Sequence, residues 1–434
     1  MTRKLLRSLV FIFGLAVHSD SFAALAYSCG SFTKSTGAAP AAQSVAHGLG
    51  STPKVLIMWM ASGLTTDSFV TSFLAAFGAS TGATNSYSIA AASLDAGASS
   101  DASRRMFNKA LTIVQWGETL LAEADLTSFD GTNFNLNWTT NNLVAYLIHF
   151  CVIGGNDLTN VNVLNWESTA GTGNKSITGM GFQPDLVIHF QATRGTLTSV
   201  AGAEFTLGAM TSVAQWAAAI RVDDNVTTTD TYRIQQTDSA MVRIDGTGAV
   251  NWEFSYVSMD SDGFTINDTT SPGAGEEMFS LGLKGGSYTV GASNKPTGAA
   301  PVTQTFTTTF TPRGYLLASF QDITRAASVA HARLGIGGSD GTNEQASSFQ
   351  DTDNLADSSV DAIDSTTKVF VKVNNNTPTI DAEADHSSLG ATGPVISWST
   401  NDAVATEMLF VAFGDAVAGG CTGSRLALMG VGGC

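Results

Sequence analysis

"GFQPDLVIHF", residues 181–190, sets a proline just ahead of an apolar run that reads as a buried strand. The phrase returns as "GSTPKVLIMWM" at residues 50–60 and as "FTPRGYLLASF" at residues 310–320. Proline lacks an N–H and fixes φ, so it suits the start or edge of a strand and not its middle. Three such openings predict three like strands, begun near Pro53, Pro184 and Pro312 and spaced by about 130 residues.

Other anchors keep the same spacing. Gly78, Gly208 and Gly335 sit in "AFGAS", "TLGAM" and "RLGIG". Trp138, Asp268 and Trp398 open "WTTNN", "DTTSP" and "WSTND", and Glu123, Glu253 and Glu383 recur on the period as well. "KSTGAAP" at Lys34 answers "KPTGAAP" at Lys295, two periods later. A period of about 130 residues exceeds the roughly 20–50 of a solenoid and matches the size of a domain. The expected organisation is a signal peptide at 1–26, β-sandwich repeats at 27–157, 158–286 and 287–418, and a Gly/Cys-rich tail at 419–434.

Within a copy the pattern is strand-like. "YRIQQTDSAMVRIDGTGAVNWEFSYVSMDSDGFTIND" (residues 232–268) alternates apolar and polar residues, with turn signals at "DGTG" and "SDG". Only "SSDASRRMFNKALTIVQWGETLLAEA" (residues 99–124) has a texture that would suit a helix. Many short strands separated by turns predict an all-β protein: three tandem β-sandwich domains, jelly-roll-like or lectin-like.

Composition narrows the function classes. Charged residues make up 13% of the 434, about half the usual share of roughly 25%, and the net charge is −16. An acidic surface repels nucleic acid and anionic lipid, so neither is expected as a partner. The N-terminus reads "MTRKLLR" and then "SLVFIFGLAV", a basic region before a short apolar one, with small-residue cleavage sites at "SFA" and "ALA". That is the pattern of a secretory signal peptide, which places the protein outside the cell or on its surface. No other apolar run reaches about eighteen residues, so no membrane-spanning helix is expected. Four cysteines, Cys29, Cys151, Cys421 and Cys434, suit disulfides in an exported chain. Proximity favours Cys421–Cys434 with Cys29–Cys151 as the second pair.

The opening Gly-Phe-x-Pro-Asp-Leu-Val, the mid-unit Leu-Gly, "SDGFTIN" and a closing strand ending in Gly-Gly resemble a repeat module of tailed-phage virion and tail-associated structural proteins. The likeness is strongest in the second copy, at Gly181 to Val187, Ser261 to Asn267 and Phe279 to Gly286. It implies β-sandwich modules with structural or receptor-binding roles. The signal peptide departs from that family and implies an exported protein built from the same module.

Residues that could carry chemistry are few. "GASTG" (residues 78–82) and "GGSDG" (residues 337–341) have the spacing of a hydrolase elbow, but that motif needs a strand–turn–helix in an α/β sheet, so they read as loops. His149 and His189 lie inside apolar strands and read as structural, with no spacing that suits zinc. The acidic turns at Asp260 and Asp262, "VDDN" and "DTDN" read as Asx turns, with calcium the one ion they would suit. The expectation is a non-enzymatic structural protein of an extracellular assembly, with no catalytic residues and no cofactor. Its expected partners are copies of itself or another surface or virion protein. The alternative is a glycan- or receptor-binding adhesin using Trp138 and Trp398. A polysaccharide hydrolase built on the three recurring glutamates comes third.

Overall fold

The computed structural model describes residues 24–61, 63–192, 198–323 and 325–416. Every regular element among them is a β-strand, and they form six antiparallel sheets. The expected all-β class stands. The stretch at 99–124 is not helical. It forms strands Ala102–Phe107 and Leu111–Gln115 and the start of Thr119–Phe129, with a turn at each break.

The first eleven strands set the pattern. They are β1 (Leu25–Thr33), β2 (Ala41–Ala46), β3 (Pro53–Met60), β4 (Ser68–Thr71), β5 (Phe73–Gly82), β6 (Asn85–Ser93), β7 (Ala102–Phe107), β8 (Leu111–Gln115), β9 (Thr119–Phe129), β10 (Asn133–Asn141) and β11 (Leu147–Gly155). A large sheet runs β1-β11-β3-β5-β6-β7, and a small sheet runs β2-β10-β9-β8. The next eleven strands and the last eleven repeat both orders. Each sandwich thus has ten strands of its own, two more than an eight-stranded jelly roll.

The eleventh strand of each set goes elsewhere. β4 pairs with Val360–Ser365 of the third set. Its counterpart Val200–Ala201 pairs with β7 of the first set, and Arg325–Ala330 pairs with Thr231–Gln236 of the second. Each set therefore covers the open edge of the set before it, and the exchange closes into a ring. An uncovered row of N–H and C=O groups invites unwanted pairing, and this arrangement removes three of them.

The alternation along the large-sheet strands explains the layering. In β3, Val55, Ile57 and Trp59 face a core shared by all three sets, whereas Leu56, Met58 and Met60 face the small sheet of the same set. In the second set, Ile188 and Phe190 face the shared core and Val187 faces the sandwich interior. Both faces of each large sheet are buried, so its strands read as continuous apolar runs. The three small sheets lie outermost.

Cys29 and Cys151 lie opposite each other on β1 and β11 and form a disulfide facing the shared core. The corresponding pairs are Val163–Leu281 and Val290–Val411. The bond closes a loop of 122 residues, worth on the order of 4–5 kcal/mol in the chain-entropy account. Cys421 and Cys434 lie outside the described residues, as do residues 1–23 of the expected signal peptide. Leu25 and Ala26, placed in the leader by the sequence reading, belong to β1.

The recurring glycine is Gly337, not Gly335. Gly78 pairs with Met58, Gly208 with His189 and Gly337 with Leu317, all at the same place in the large sheet, whereas Gly335 pairs with Ser319. A Cβ at Gly78, Gly208 or Gly337 would fall on the carbonyl oxygen of Ala110, Ala240 or Val369, which leads into the small sheet. Only glycine lets the two sheets come this close. Pro53 and Pro312 open their strands as expected, but Pro184 stands two residues ahead of Leu186–Gln191.

Candidate functional site

Two places stand out: a clasp where the three sets meet, and a recess at the outer end of the second sandwich.

The clasp is built from three equivalent loops, each leading to the strand that takes the donated edge. Ser100 N–H donates to Val226 O (2.9 Å), and Asn225 N–H donates to Ser100 O (2.8 Å). Thr229 and Ser358 repeat this with Leu355 and Asn354, and with Gly97 and Ala96. The hydroxyls of Ser100, Thr229 and Ser358 then accept from the N–H groups of Val226, Leu355 and Gly97 at 3.1, 2.8 and 3.0 Å. Three acids complete the ring. Asp224 accepts from Ala102 N–H, Asp353 from Thr231 N–H and Asp95 from Val360 N–H, at 2.8–2.9 Å. Ala96, Asn225 and Asn354 turn the chain with φ of 55°, 57° and 60°. Asparagine tolerates this region well, and alanine adopts it here under the hold of the ring. "VDDN" and "DTDN" are therefore joints between sets. The sequence carried a signal for them, since Asp95, Asp224 and Asp353 share one spacing, as do Ser100, Thr229 and Ser358.

Beside the clasp, Asp351 is sealed in the interior and takes a 2.6 Å hydrogen bond from the Ser93 hydroxyl of the first set. Burial, with Asp95 and Asp353 nearby, pushes its carboxyl up to about 7, against the lowering effect of that hydroxyl.

The joints between sets are polar in different ways. Between the first and third, Asp364 accepts from the N–H groups of Ala61 (3.1 Å) and Gly63 (2.6 Å), from His149 Nε2 (3.2 Å) and from the Ser347 hydroxyl. His149 and Asp364 have no exposed surface. This meeting of serine, histidine and aspartate is closed to any substrate and serves as a latch. Between the third and second, Gln235 accepts from Phe320 N–H at 3.0 Å and donates to Glu407 at 2.7 Å. Between the first and second, Arg104 joins Arg221 and Arg243 around the buried Glu204.

The recurring glutamates occupy one position on three separate small sheets, opposite Thr140, Thr270 and Thr400. Glu123 pairs with Arg105 (2.9 Å), Glu253 accepts from the Ser239 hydroxyl (2.5 Å) and Glu383 accepts from the Thr400 hydroxyl (3.1 Å). They do not converge in one groove, so the hydrolase reading loses its motivating residues. Trp138 and Trp398 are fully buried and cannot stack on a sugar from outside. Asp260 accepts from the hydroxyls of Ser258 and Thr265, and Asp262 from the N–H groups of Gly179 and Gly181. Among the described residues no group of three or more His, Cys, Asp or Glu could hold a metal ion. "GASTG" is not a loop: Ser80 is buried inside β5, and Ser339 ends Ala332–Ser339. His189 is buried as expected, with Nδ1 2.8 Å from the Ser280 hydroxyl, and burial pulls it down to about 3.

The outer ends of the three sandwiches differ. In the first, Lys34 is buried with Nζ 5.3 Å from the Trp138 ring centre and bonded to Asn141 Oδ1. Burial pulls its ammonium down to about 8. Gln43 laces the two sheets together, taking the Trp138 indole N–H (2.8 Å) and Ser35 N–H (2.9 Å) and donating to Thr33 O (2.7 Å). The third sandwich repeats this with Lys295, Trp398, Asn401 and Gln304. The second does not. Register puts Asp268 in the place of the tryptophan and Lys175 in the place of the glutamine. Ser168 takes the place of the lysine, as its N–H bond to Glu276 O matches those of Lys34 and Lys295. A tryptophan returns from the adjacent strand, where Trp252 replaces Ala122 and Ala382 and donates to Asp268 at 3.1 Å. Burial raises the Asp268 carboxyl, opposed by that indole and by Lys175. Lys175 reaches Ala170 O instead of lacing the sheets. The result is a recess of about 410 Å³ between Asn160–Glu167 and Gly173–Thr178.

No family model and no curated protein matches the chain. Among solved structures, the LG1-3 region of the laminin alpha2 chain aligns over 89% of this chain and 94% of its own, at 7% identity and a TM-score of 0.09. So poor a superposition carries no argument about this chain.

Proposed function

We propose that the protein is a non-enzymatic structural component of an extracellular assembly, in which three fused copies of one module supply a trimer-like body from a single chain. The clasp carries this reading. Its twelve hydrogen bonds follow one pattern around the ring and are made between sets rather than within them. Subunits of a symmetric oligomer meet in the same manner, through like patches repeated about an axis. Interior polar groups such as His149 and Asp364 go to holding the sets together. The leader-like N-terminus supports export, and the acidic, lightly charged surface suits a particle, filament or coat outside the cell. The resemblance to tailed-phage virion modules favours the same class. In the test, chain secreted by an expressing host is concentrated and followed by light scattering and negative-stain microscopy. Ordered oligomers, filaments or sheets are expected. A monodisperse monomer at every concentration would overturn the proposal.

A further inference from the structure

The recess of the second sandwich differs from its counterparts through coordinated changes. The lysine that plugs the other two ends is Ser168, the lacing glutamine is Lys175, and the buried indole has given way to the Asp268 carboxylate. The connection over the recess, residues 168–172, is also two residues shorter than those at 34–40 and 295–301. Drift that merely opened a hole would leave an apolar gap, but this opening is lined by groups suited to a polar, uncharged guest. Asp268 and Glu167 only accept hydrogen bonds, Lys175 only donates, and Asn174 and Ser176 do both, while Trp166 supplies an apolar wall. At about 410 Å³ the space falls in the range of roughly 300–1,000 Å³ typical of ligand pockets.

We propose that this recess is a saccharide-binding site taking one or two pyranose units. A pyranose carries hydroxyls that donate and accept in fixed directions, together with a C–H face, and the lining offers partners for both. Two carboxylates disfavour a phosphate or another anion. A divalent cation would want clustered oxygen ligands, and no such group occurs among the described residues. The proposal goes beyond the assembly role and does not depend on it, since the recess lies on an outer sandwich end and the clasp joins the sets.

The test uses the full chain on a glycan array, followed by titration calorimetry with the best-bound oligosaccharide. Asn174→Ala and Lys175→Gln change an exposed and a half-buried residue at the rim. Each is expected to weaken binding about tenfold or more, since each removes one or two polar contacts. Ser168→Lys, Lys175→Gln, Trp252→Ala and Asp268→Trp together rewrite the recess as the first and third ends are written, and should abolish binding. Assembly of each variant is read in parallel, so loss of binding is distinguished from loss of the body. Absence of saturable binding across the array overturns the proposal. So does a glycan whose affinity is unchanged in both rim variants.

Discussion

The clasp and the outer sandwich ends are each built three times, and they have fared differently. In the clasp the side chains vary among Ser and Thr, and among Gly, Val and Leu, yet every hydrogen bond recurs. At the outer ends two copies agree down to the lysine over its tryptophan, and the third has exchanged the plug for an open recess. The difference follows from who needs the residue. A clasp residue satisfies backbone groups of a neighbouring set, so a change in one copy leaves an orphaned N–H in another. An outer end answers only to its own sandwich, where a second change on the neighbouring strand can repair the first.

That contrast can be broken most forcefully at Trp398. Trp398→Asp alone empties a buried aromatic site and leaves a carboxylate there, and should cost about 5 kcal/mol or more in denaturant unfolding. Adding Ala382→Trp, which copies the arrangement of the second set, should restore a large part of that loss. If the second change restores nothing, the two ends are not alternative solutions of one packing problem.

A smaller effect is expected where the sets meet. The Asp351 carboxyl titrates near 7 in the folded protein, against an ordinary value of 3.8. Below about pH 3 it is protonated in both states and costs nothing. Between about pH 3 and pH 7 the unfolded chain ionises and the folded one does not, so stability falls as pH rises. Above pH 7 the loss is complete, at most about 4 kcal/mol for a shift of this size. Asp351→Asn should therefore stabilise the protein at pH 8, leave it unchanged below about pH 3, and flatten the midpoint-versus-pH curve between. A wild-type curve flat over that range would show that Asp351 is not held protonated.

The smallest expected change is at a single clasp acid. Asp224→Ala orphans one N–H, at Ala102, and should cost about 1–3 kcal/mol. Asp95→Ala and Asp353→Ala should cost similar amounts. An acid of the same type on the outer surface, such as Asp260, bonded only to hydroxyls of its own set, should cost less. Equal losses at Asp224 and Asp260 would remove the distinction between shared and private sites.

Much of the fold was legible because strands announce themselves by alternation and the copies by their period. The glutamates fall on one register because equivalent strands keep their spacing, although Glu123 is buried against Arg105 and the other two are half-buried. The sequence reading takes Gly335 as the recurring glycine, and only the close approach of the Val369 carbonyl marks Gly337 as the counterpart of Gly78 and Gly208. Trp138 and Trp398 read as core residues with a sugar platform as the alternative, because a sequence does not tell which face of a strand is covered, and burial decides for the core. The clasp went unread because its loops look like ordinary acidic turns until their partners, more than a hundred residues away, are in place.

By itself the sequence determined an all-β chain with one theme stated three times, because strand periodicity and turn chemistry are local and survive in a single copy. Which sheet edge receives a donated strand, where three loops lock, and which outer end stays open were decided only by the tertiary structure. Those properties belong to pairs of distant residues, and each half of a pair is unremarkable until packing brings the other to it.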